Sequence, residues 1–126
     1  MRRLLDTNVW IDAMSAESEA ARALMVAISD DWCGYSAMTR LEVLSYSSLS
    51  PSDIADWRAL LASATEVAIG DSVIEEAARL RRTVKLKTPD AVIAATALLE
   101  NAALVTRNVE DFRRVPGLNV MGPSAV

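Results

Sequence analysis

The chain has 126 residues, of which 52% are hydrophobic and 24% charged, and its formal net charge is −4. This length suits one domain, which we take to span residues 1–126. The single cysteine, Cys33, and the absence of histidine exclude an internal disulfide framework, histidine-ligated zinc, and serine–histidine or cysteine–histidine catalysis. Any catalysis must therefore rest on carboxylates, hydroxyls, Lys or Arg.

Short apolar runs alternate with longer periodic segments along the chain, which is typical of βαβ units. In chain order we predict a strand at 4–5, a helix over 17–29, a strand at Trp32–Ser36, a helix over 38–49, a helix beginning at Ser50-Pro51, a strand at 66–69, a helix over 73–84, a helix over 91–99, a strand at 104–105 and a short fifth strand at 118–121. These elements predict a parallel α/β sheet covered by helices on both faces. No apolar run is long enough for a membrane helix, and no signal-peptide core follows Arg2-Arg3, so we expect a soluble cytoplasmic protein.

Four polar residues fall where a strand or loop is followed by a helix. Asp6 comes directly after the first strand, Glu42 lies one helical turn beyond the second, Asp90 opens the most apolar helix and Asn108 follows the fourth strand. Ligands of open α/β sheets bind in the crevice beyond the carboxyl ends of the strands. One crevice is therefore expected to collect all four side chains.

Helix capping is the competing interpretation of these acids. Asp and Glu are favoured in first helical turns, and Thr39-x-x-Glu42 has the capping-box pattern. The same pattern occurs at Ser72-x-x-Glu75, with a looser version at Ser50-x-x-Asp53, where no chemistry is expected. If capping were their only role, the chain would be a non-catalytic, partner-binding α/β module.

Electrostatics favours a metal site over capping. A charge at Asp6, directly after a leucine pair, is costly unless it finds a partner. Gathering Asp6, Glu42 and Asp90 in one crevice costs roughly 1–4 kcal/mol of repulsion per pair at about 4 Å. Mg²⁺ or Mn²⁺ would neutralise such a cluster, polarise a phosphodiester and activate a water.

Four segments in order resemble the PIN-domain ribonucleases, and within them the VapC-type toxins of bacterial toxin–antitoxin pairs. The segments are LLDTNVW at 4–10, LEVL at 41–44, TPDAVIAATA at 88–97, and LVTRN at 104–108 with Asp-Phe at 111–112. The resemblance implies a compact three-layer fold with a central parallel sheet of about five strands. It also implies a homodimer, Mg²⁺- or Mn²⁺-dependent endonucleolytic cleavage of RNA, and inhibition by a VapB-like antitoxin.

The resemblance also implies roles for individual residues. Asp6, Glu42 and Asp90 correspond to the acids that hold the metal, whose activated water attacks phosphorus. Thr7 corresponds to the small polar residue that orients a water or a metal ligand. The family's fourth position, often Asp, falls on Asn108, with Asp111 as a nearby substitute that we expect to be exposed to solvent.

Basic and aromatic residues are candidates for contact with a nucleic acid. Candidate substrate contacts are Thr7, Arg40, Thr106, Arg107 and the basic stretch at 79–87, and for the basic residues surface solvation is the competing interpretation. We expect all three tryptophans to serve apolar packing rather than base stacking. A phosphatase of the haloacid dehalogenase type is a further alternative, but Asn8 stands where that chemistry needs a second Asp.

Overall fold

A computed structural model describes residues 1–15 and 18–126. Its strands are β1 (Arg2–Leu5), β2 (Trp32–Ser36), β3 (Thr65–Val67), β4 (Ala103–Val105) and β5 (Val120–Met121). Its α-helices are α1 (Thr7–Ala13), α2 (Glu19–Ile28), α3 (Ala37–Val43), α4 (Pro51–Leu61), α5 (Asp71–Thr83), α6 (Thr88–Leu99) and α7 (Val109–Arg113), and a 3₁₀ turn follows at Pro123–Ala125. Residue 17, the first of the predicted helix over 17–29, lies outside the described residues.

The five strands form one parallel sheet in the order β3-β2-β1-β4-β5. β1 is central, and it pairs with β2 on one side and with β4 on the other. The predicted α/β architecture with about five parallel strands and flanking helices is confirmed. Because all strands run in one direction, the carboxyl ends of β1, β2 and β4 meet at the same edge of the sheet.

Successive side chains of the central strands point to opposite faces of the sheet, so the hydrophobic core has two halves, one on each face. Leu4 and its neighbour Leu104 are buried with the apolar residues of α5, α6 and α7 on one face. Leu5 and its neighbour Val105 are buried with those of α1, α2 and α4 on the other. Both faces of the sheet are thus covered, which explains why its strands are short apolar runs.

The three tryptophans serve packing, as predicted. Trp10 and Trp57 are buried, and the Trp10 ring meets the Tyr35 ring edge-on at 5.4 Å between centroids. Trp32 is partly buried, and the Arg2 guanidinium carbon lies 4.2 Å from the centroid of its ring.

Several predicted boundaries are wrong. The predicted helix over 38–49 ends at Val43, because Ser45 and the serines that follow are poor helix formers, and the Ser45 hydroxyl bonds back to the Leu41 carbonyl. The strand predicted at 66–69 is β3, which ends two residues earlier, at Val67. It ends there because its partner β2 ends at Ser36, opposite Val67. The strand predicted at 118–121 begins only at Val120, where pairing with β4 starts.

Two short helices, α1 and α7, were not predicted. Each follows the end of a central strand, β1 or β4, and so each borders the edge where the candidate residues gather. Within the described ranges, no helix has both the length and the apolarity needed to cross a bilayer.

Candidate active site

Asp6 lies at the carboxyl end of the central strand β1 and is 4% exposed. It is the N-cap of α1, and its Oδ1 accepts a hydrogen bond from the Thr7 backbone N–H at 2.8 Å. Its Oδ2 accepts from the Thr106 hydroxyl at 2.7 Å and from the Asn8 amide at 3.2 Å. Asp6 is therefore a cap, as the capping interpretation expects, but most of its donors are side chains gathered from α1 and from the end of β4.

The pKa of Asp6 is raised to about 6. Burial is the largest cause, and the charges of Asp90 and Glu42 raise this pKa further, while hydrogen bonds from Thr106 and Thr7 lower it. Asp6 is thus a desolvated carboxyl surrounded by neutral donors and by other acids. A bound cation would favour its ionised form.

Glu42 lies within α3, where it contacts α1. α3 begins after Ser36, whose hydroxyl accepts from the Met38 N–H and caps the helix. Thr39 is therefore not an N-cap, and Glu42 Oε1 instead accepts a hydrogen bond from the Thr7 hydroxyl at 2.7 Å. The capping-box interpretation of Thr39 and Glu42 is wrong, because the helix begins three residues earlier than that pattern requires.

The other two capping patterns differ in their outcome. Ser50 and Asp53 form a complete capping box at the start of α4. α5 has Gly70 as its N-cap and no side-chain capping bond, so the pattern at Ser72 and Glu75 does not form a cap.

Asp90 is half-buried in the first turn of α6, after Pro89. The N-terminus of α6 has no side-chain capping hydrogen bond, so Asp90 does not cap this helix, contrary to the capping interpretation. Burial is the main cause that raises the pKa of Asp90, the charge of Asp111 adds to it, and Lys87 opposes it.

The acids share one cleft of about 660 Å³ beyond the carboxyl ends of the strands. Three acids, four uncharged polar residues and five largely apolar residues line it: Asp6, Thr7, Asn8, Ile11, Met38, Leu41, Glu42, Ser45, Tyr46, Pro89, Asp90 and Asn108. The predicted set of Asp6, Glu42, Asp90 and Asn108 is therefore brought together in one cleft. No Lys or Arg of the described part of the chain lines it.

Asn108 and Asp111 occupy different positions beside the cleft. Asn108 is exposed, lines the cleft as the N-cap of α7, and donates its backbone N–H to the Thr106 hydroxyl at 3.0 Å. Asp111, one turn further along α7, is exposed to solvent as expected, yet its charge acts on Asp90. Asn108 thus borders the cleft directly, whereas Asp111 affects the cleft only through the effect of its charge on the pKa of Asp90.

The basic candidates for substrate contact do not line the cleft. Arg40 forms an ion pair with Glu66, and Arg107 pairs with Asp12 at 3.2 Å. Arg79, in the basic stretch at 79–87, pairs with Glu76 on its own helix. The side chains of all three arginines are exposed to solvent.

Thr106 has no exposed surface, so its position does not allow direct contact with a substrate. Its hydroxyl bonds Asp6 and accepts from the Asn108 N–H, so its position is that of a residue that holds the acid. Sequence reasoning also missed Thr39, which is fully buried and bonded to Thr7 at 2.9 Å. The signal for Thr39 was its place three residues before Glu42, which was interpreted as capping.

The carboxylate and amide oxygens that line the cleft are suitable ligands for a hard divalent cation. Mg²⁺ prefers carboxylate oxygens, keeps several waters and takes only one or two protein carboxylates. Over residues 1–15 and 18–126, no three Asp, Glu, Cys or His side chains lie close enough together to enclose an ion. A cation in this cleft would therefore be bound by the desolvated carboxylate of Asp6, by water, and by Glu42 or Asp90.

Comparison with known proteins identifies the family. Residues 3–118 match the family model described as PIN domain. The chain belongs to the PIN domain family. No curated protein matches it.

Solved structures agree with this assignment. The chain is similar to a chain of a toxin–antitoxin complex from Klebsiella pneumoniae, with 34% identity, a TM-score of 0.81, and 96% and 97% of the two chains covered. It shares its fold with chains of VapBC2 from Rickettsia felis bound to a promoter DNA fragment (20% identity, TM-score 0.83, 97% and 98% covered) and of VapBC-1 from nontypeable Haemophilus influenzae (23%, 0.83, 98% and 99%). The resemblance to PIN-domain, VapC-type toxins is confirmed. Proteins of this family are generally metal-dependent ribonucleases.

Proposed function

We propose that this PIN-domain chain is a Mg²⁺- or Mn²⁺-dependent endoribonuclease, a VapC-like toxin that hydrolyses RNA phosphodiester bonds. The observation that carries the proposal is the cleft in which Asp6, Glu42 and Asp90 meet without a lining Lys or Arg. Folding alone gives no reason to gather like charges and to bury one of them. A function that needs a cation does.

Asp6, Glu42 and Asp90 would hold the ion directly or through a water, and the neutral residues around them would keep the acids in place. A divalent cation bound there supplies polarisation of the phosphodiester and activation of a water. The donors on Asp6, from Thr106, Asn8 and the Thr7 N–H, stabilise its ionised form. These bonds leave the remaining lone pairs of Asp6 for a ligand.

Asn108 takes the family's fourth position in this proposal. It lines the cleft and offers an amide oxygen without charge, so it suits contact with a water or the ion better than a second, separate metal site. Asp111 is not among the residues that line the cleft, and its charge raises the pKa of Asp90.

RNA is expected to contact the rim of the cleft. Arg40 and Arg107 would exchange Glu66 and Asp12 for phosphates, and this exchange costs little because exposed ion pairs are weak. Thr7 completes the set of proposed substrate contacts, since it is at the floor of the cleft next to the acids.

Partners follow from the solved relatives. The similar structures include a toxin–antitoxin complex and VapBC assemblies. We therefore propose that a VapB-like antitoxin inhibits this chain, that residues 1–126 form one PIN-like domain which assembles as a homodimer, and that it acts in the cytoplasm.

The alternatives have less support. If the acids were only helix caps, each would bond backbone N–H groups, yet Glu42 bonds a side-chain hydroxyl and α6 has no side-chain cap. For a haloacid dehalogenase-type phosphatase, the general acid would be at Asn8, whose amide donates to Asp6 and accepts from the Arg107 N–H. That side chain has no acidic proton to give.

Cleavage of a structured RNA by the purified chain tests the proposal. We expect cleavage with Mg²⁺ or Mn²⁺, none with excess chelator, and a loss of at least about 100-fold in Asp90→Asn. Asp71→Asn is the matched control, because Asp71 also lies in the first turn of a helix, α5, where it is exposed and does not line the cleft. Full activity in chelator, or equal activity in wild type and Asp90→Asn, would contradict the proposal.

A further inference from the structure

Three side chains from two helices form a continuous hydrogen-bonded row beneath the cleft. The Thr39 hydroxyl lies 2.9 Å from the Thr7 hydroxyl, which in turn lies 2.7 Å from Glu42 Oε1. Thr39 is fully buried and Thr7 is 8% exposed, whereas Glu42 is partly exposed at the cleft. The row therefore runs from the protein interior to one acid of the site.

Counting hydrogens gives this row a direction. The Thr7 hydroxyl has one hydrogen, and Glu42 Oε1 is its acceptor. If both contacts are hydrogen bonds, Thr7 donates to Glu42 and Thr39 donates to Thr7. Within the described residues, Thr7 is the side-chain partner of Thr39, so its hydrogen has this one destination among side chains.

We infer that Thr39 is a positioning residue that acts through Thr7 to hold the Glu42 carboxylate toward the cleft. The inference rests on the proposed function, because it assigns Glu42 a ligand's task. A donor from Thr39 occupies a lone pair of the Thr7 oxygen, and this fixes the Thr7 rotamer and leaves its hydrogen directed at Glu42.

Neither of the ordinary purposes of a buried helical threonine, capping and packing, explains the hydroxyl of Thr39. It does not cap α3, because Ser36 does so. Packing alone would be served equally well by valine, which has the same shape without the hydroxyl. Asp6 is held by the Thr7 backbone N–H, Asn8 and Thr106, so the effect of Thr39 is specific to Glu42.

Thr39→Val and Thr39→Ser separate the hydroxyl from the shape of the side chain. In the metal-free protein, three-bond NMR couplings report whether Thr7 occupies one χ1 rotamer or several. We expect a single rotamer in wild type and Thr39→Ser, and averaging in Thr39→Val. Mn²⁺ affinity by calorimetry and the cleavage rate should each fall about 10-fold in Thr39→Val, with Thr39→Ser restoring most of the loss.

The Thr7→Val background supplies a further readout that a purely structural role would not give. Once Thr7 has no hydroxyl, adding Thr39→Val should weaken Mn²⁺ binding no further, because the row is already interrupted. Thermal unfolding identifies any variant that fails to fold. If Thr39→Val does not fold, Thr39→Ser still tests whether the hydroxyl alone keeps Thr7 in one rotamer.

A single Thr7 rotamer in Thr39→Val, or independent effects in the two backgrounds, overturns the inference about Thr39. Wild-type protein that neither binds Mn²⁺ nor cleaves RNA overturns the proposed function instead. The rotamer measurement needs no metal, so it tests the effect of Thr39 on Thr7 even if the protein neither binds Mn²⁺ nor cleaves RNA.

Discussion

Thr106 donates a hydrogen bond to Asp6 Oδ2 over 2.7 Å, although 100 positions separate the two residues in the sequence. The contact exists because β1 and β4 are parallel neighbours, with Leu5 opposite Val105, so the residues that follow each strand meet at one edge of the sheet. A buried hydroxyl thus supports a buried acid.

Removing this donor should change the pH at which the cleft binds metal. The Thr106 hydroxyl lowers the pKa of Asp6, against the effect of burial, so Thr106→Val should raise that pKa above about 6. Since the ligand must ionise, Mn²⁺ binding should require a higher pH and weaken about 10-fold near pH 7. Calorimetry between pH 5.5 and 8.5 measures this shift.

Thr106→Ser is the matched control, because it keeps the hydroxyl and removes only a methyl group. Its pH profile for Mn²⁺ binding should follow that of wild type. Superimposable profiles for wild type and Thr106→Val would mean that Thr106 does not act on Asp6.

Asp6 should also make the metal-free protein less stable as pH rises. Its pKa is raised from 3.8 to about 6, so the folded state binds this proton more tightly than the unfolded state. Its favourable contribution is complete below about pH 4 and is lost as pH rises to about 6, a difference of about 3 kcal/mol. Asp6→Asn removes the charge and should raise the free energy of unfolding at pH 7.5 by about 1–3 kcal/mol.

Urea unfolding of wild type and Asp6→Asn between pH 4 and 8, with chelator present, checks this expectation. The advantage of the variant should shrink towards zero at the acid end of the range. Asp71→Asn, on the exposed first turn of α5, should stay within about 0.5 kcal/mol of wild type. If Asp6→Asn is no more stable than wild type at pH 7.5, the prediction is wrong, and the charge of Asp6 does not destabilise the metal-free protein.

Gly34 should be required by the ring of Trp32. A Cβ added at Gly34 would lie 2.2 Å from Cη2 of Trp32, whose side chain lies on the same face of β2. Gly34→Ala should therefore displace the indole and lower the free energy of unfolding by about 1–3 kcal/mol. Gly122→Ala is the control, because its nearest neighbour would lie 3.7 Å away, at ordinary contact distance.

A double-mutant cycle with Trp32→Ala makes this prediction specific. Without the indole, Gly34→Ala should cost less than it does in wild type, so the two changes should be strongly coupled. Equal costs in the two backgrounds would mean that another contact accounts for the effect.

The sequence predicted which acids share the cleft but, apart from Thr7, not which residues bond to them. Asp6 was recognisable because it follows a leucine run, and the carboxyl-end rule for parallel sheets brought it together with Glu42 and Asp90. The bonds from Thr106 and Thr39 depend on strand register and helix rotation, which no local pattern specifies. Thr39 was misread as a cap, because Ser36 and Thr39 are both good N-cap residues and only the observed helix start distinguishes them.

The short helices were hidden for a related reason. α1 contains Val9, Trp10 and Ile11, which have strand propensity, and burial of Val9 and Trp10 against the sheet overrides that preference. α7 has five residues, too few for helical periodicity to be visible. Long periodic segments such as α5 and α6, by contrast, were located to within a few residues at either end.

A crystal structure of the chain grown with Mn²⁺, with the metal located by its anomalous scattering, tests the central claim most directly. The account predicts one peak in the cleft, within about 2.5 Å of an Asp6 carboxylate oxygen, with Glu42 and Asp90 reached directly or through one water. An empty cleft at millimolar Mn²⁺, or a peak that contacts none of the three acids, would contradict it.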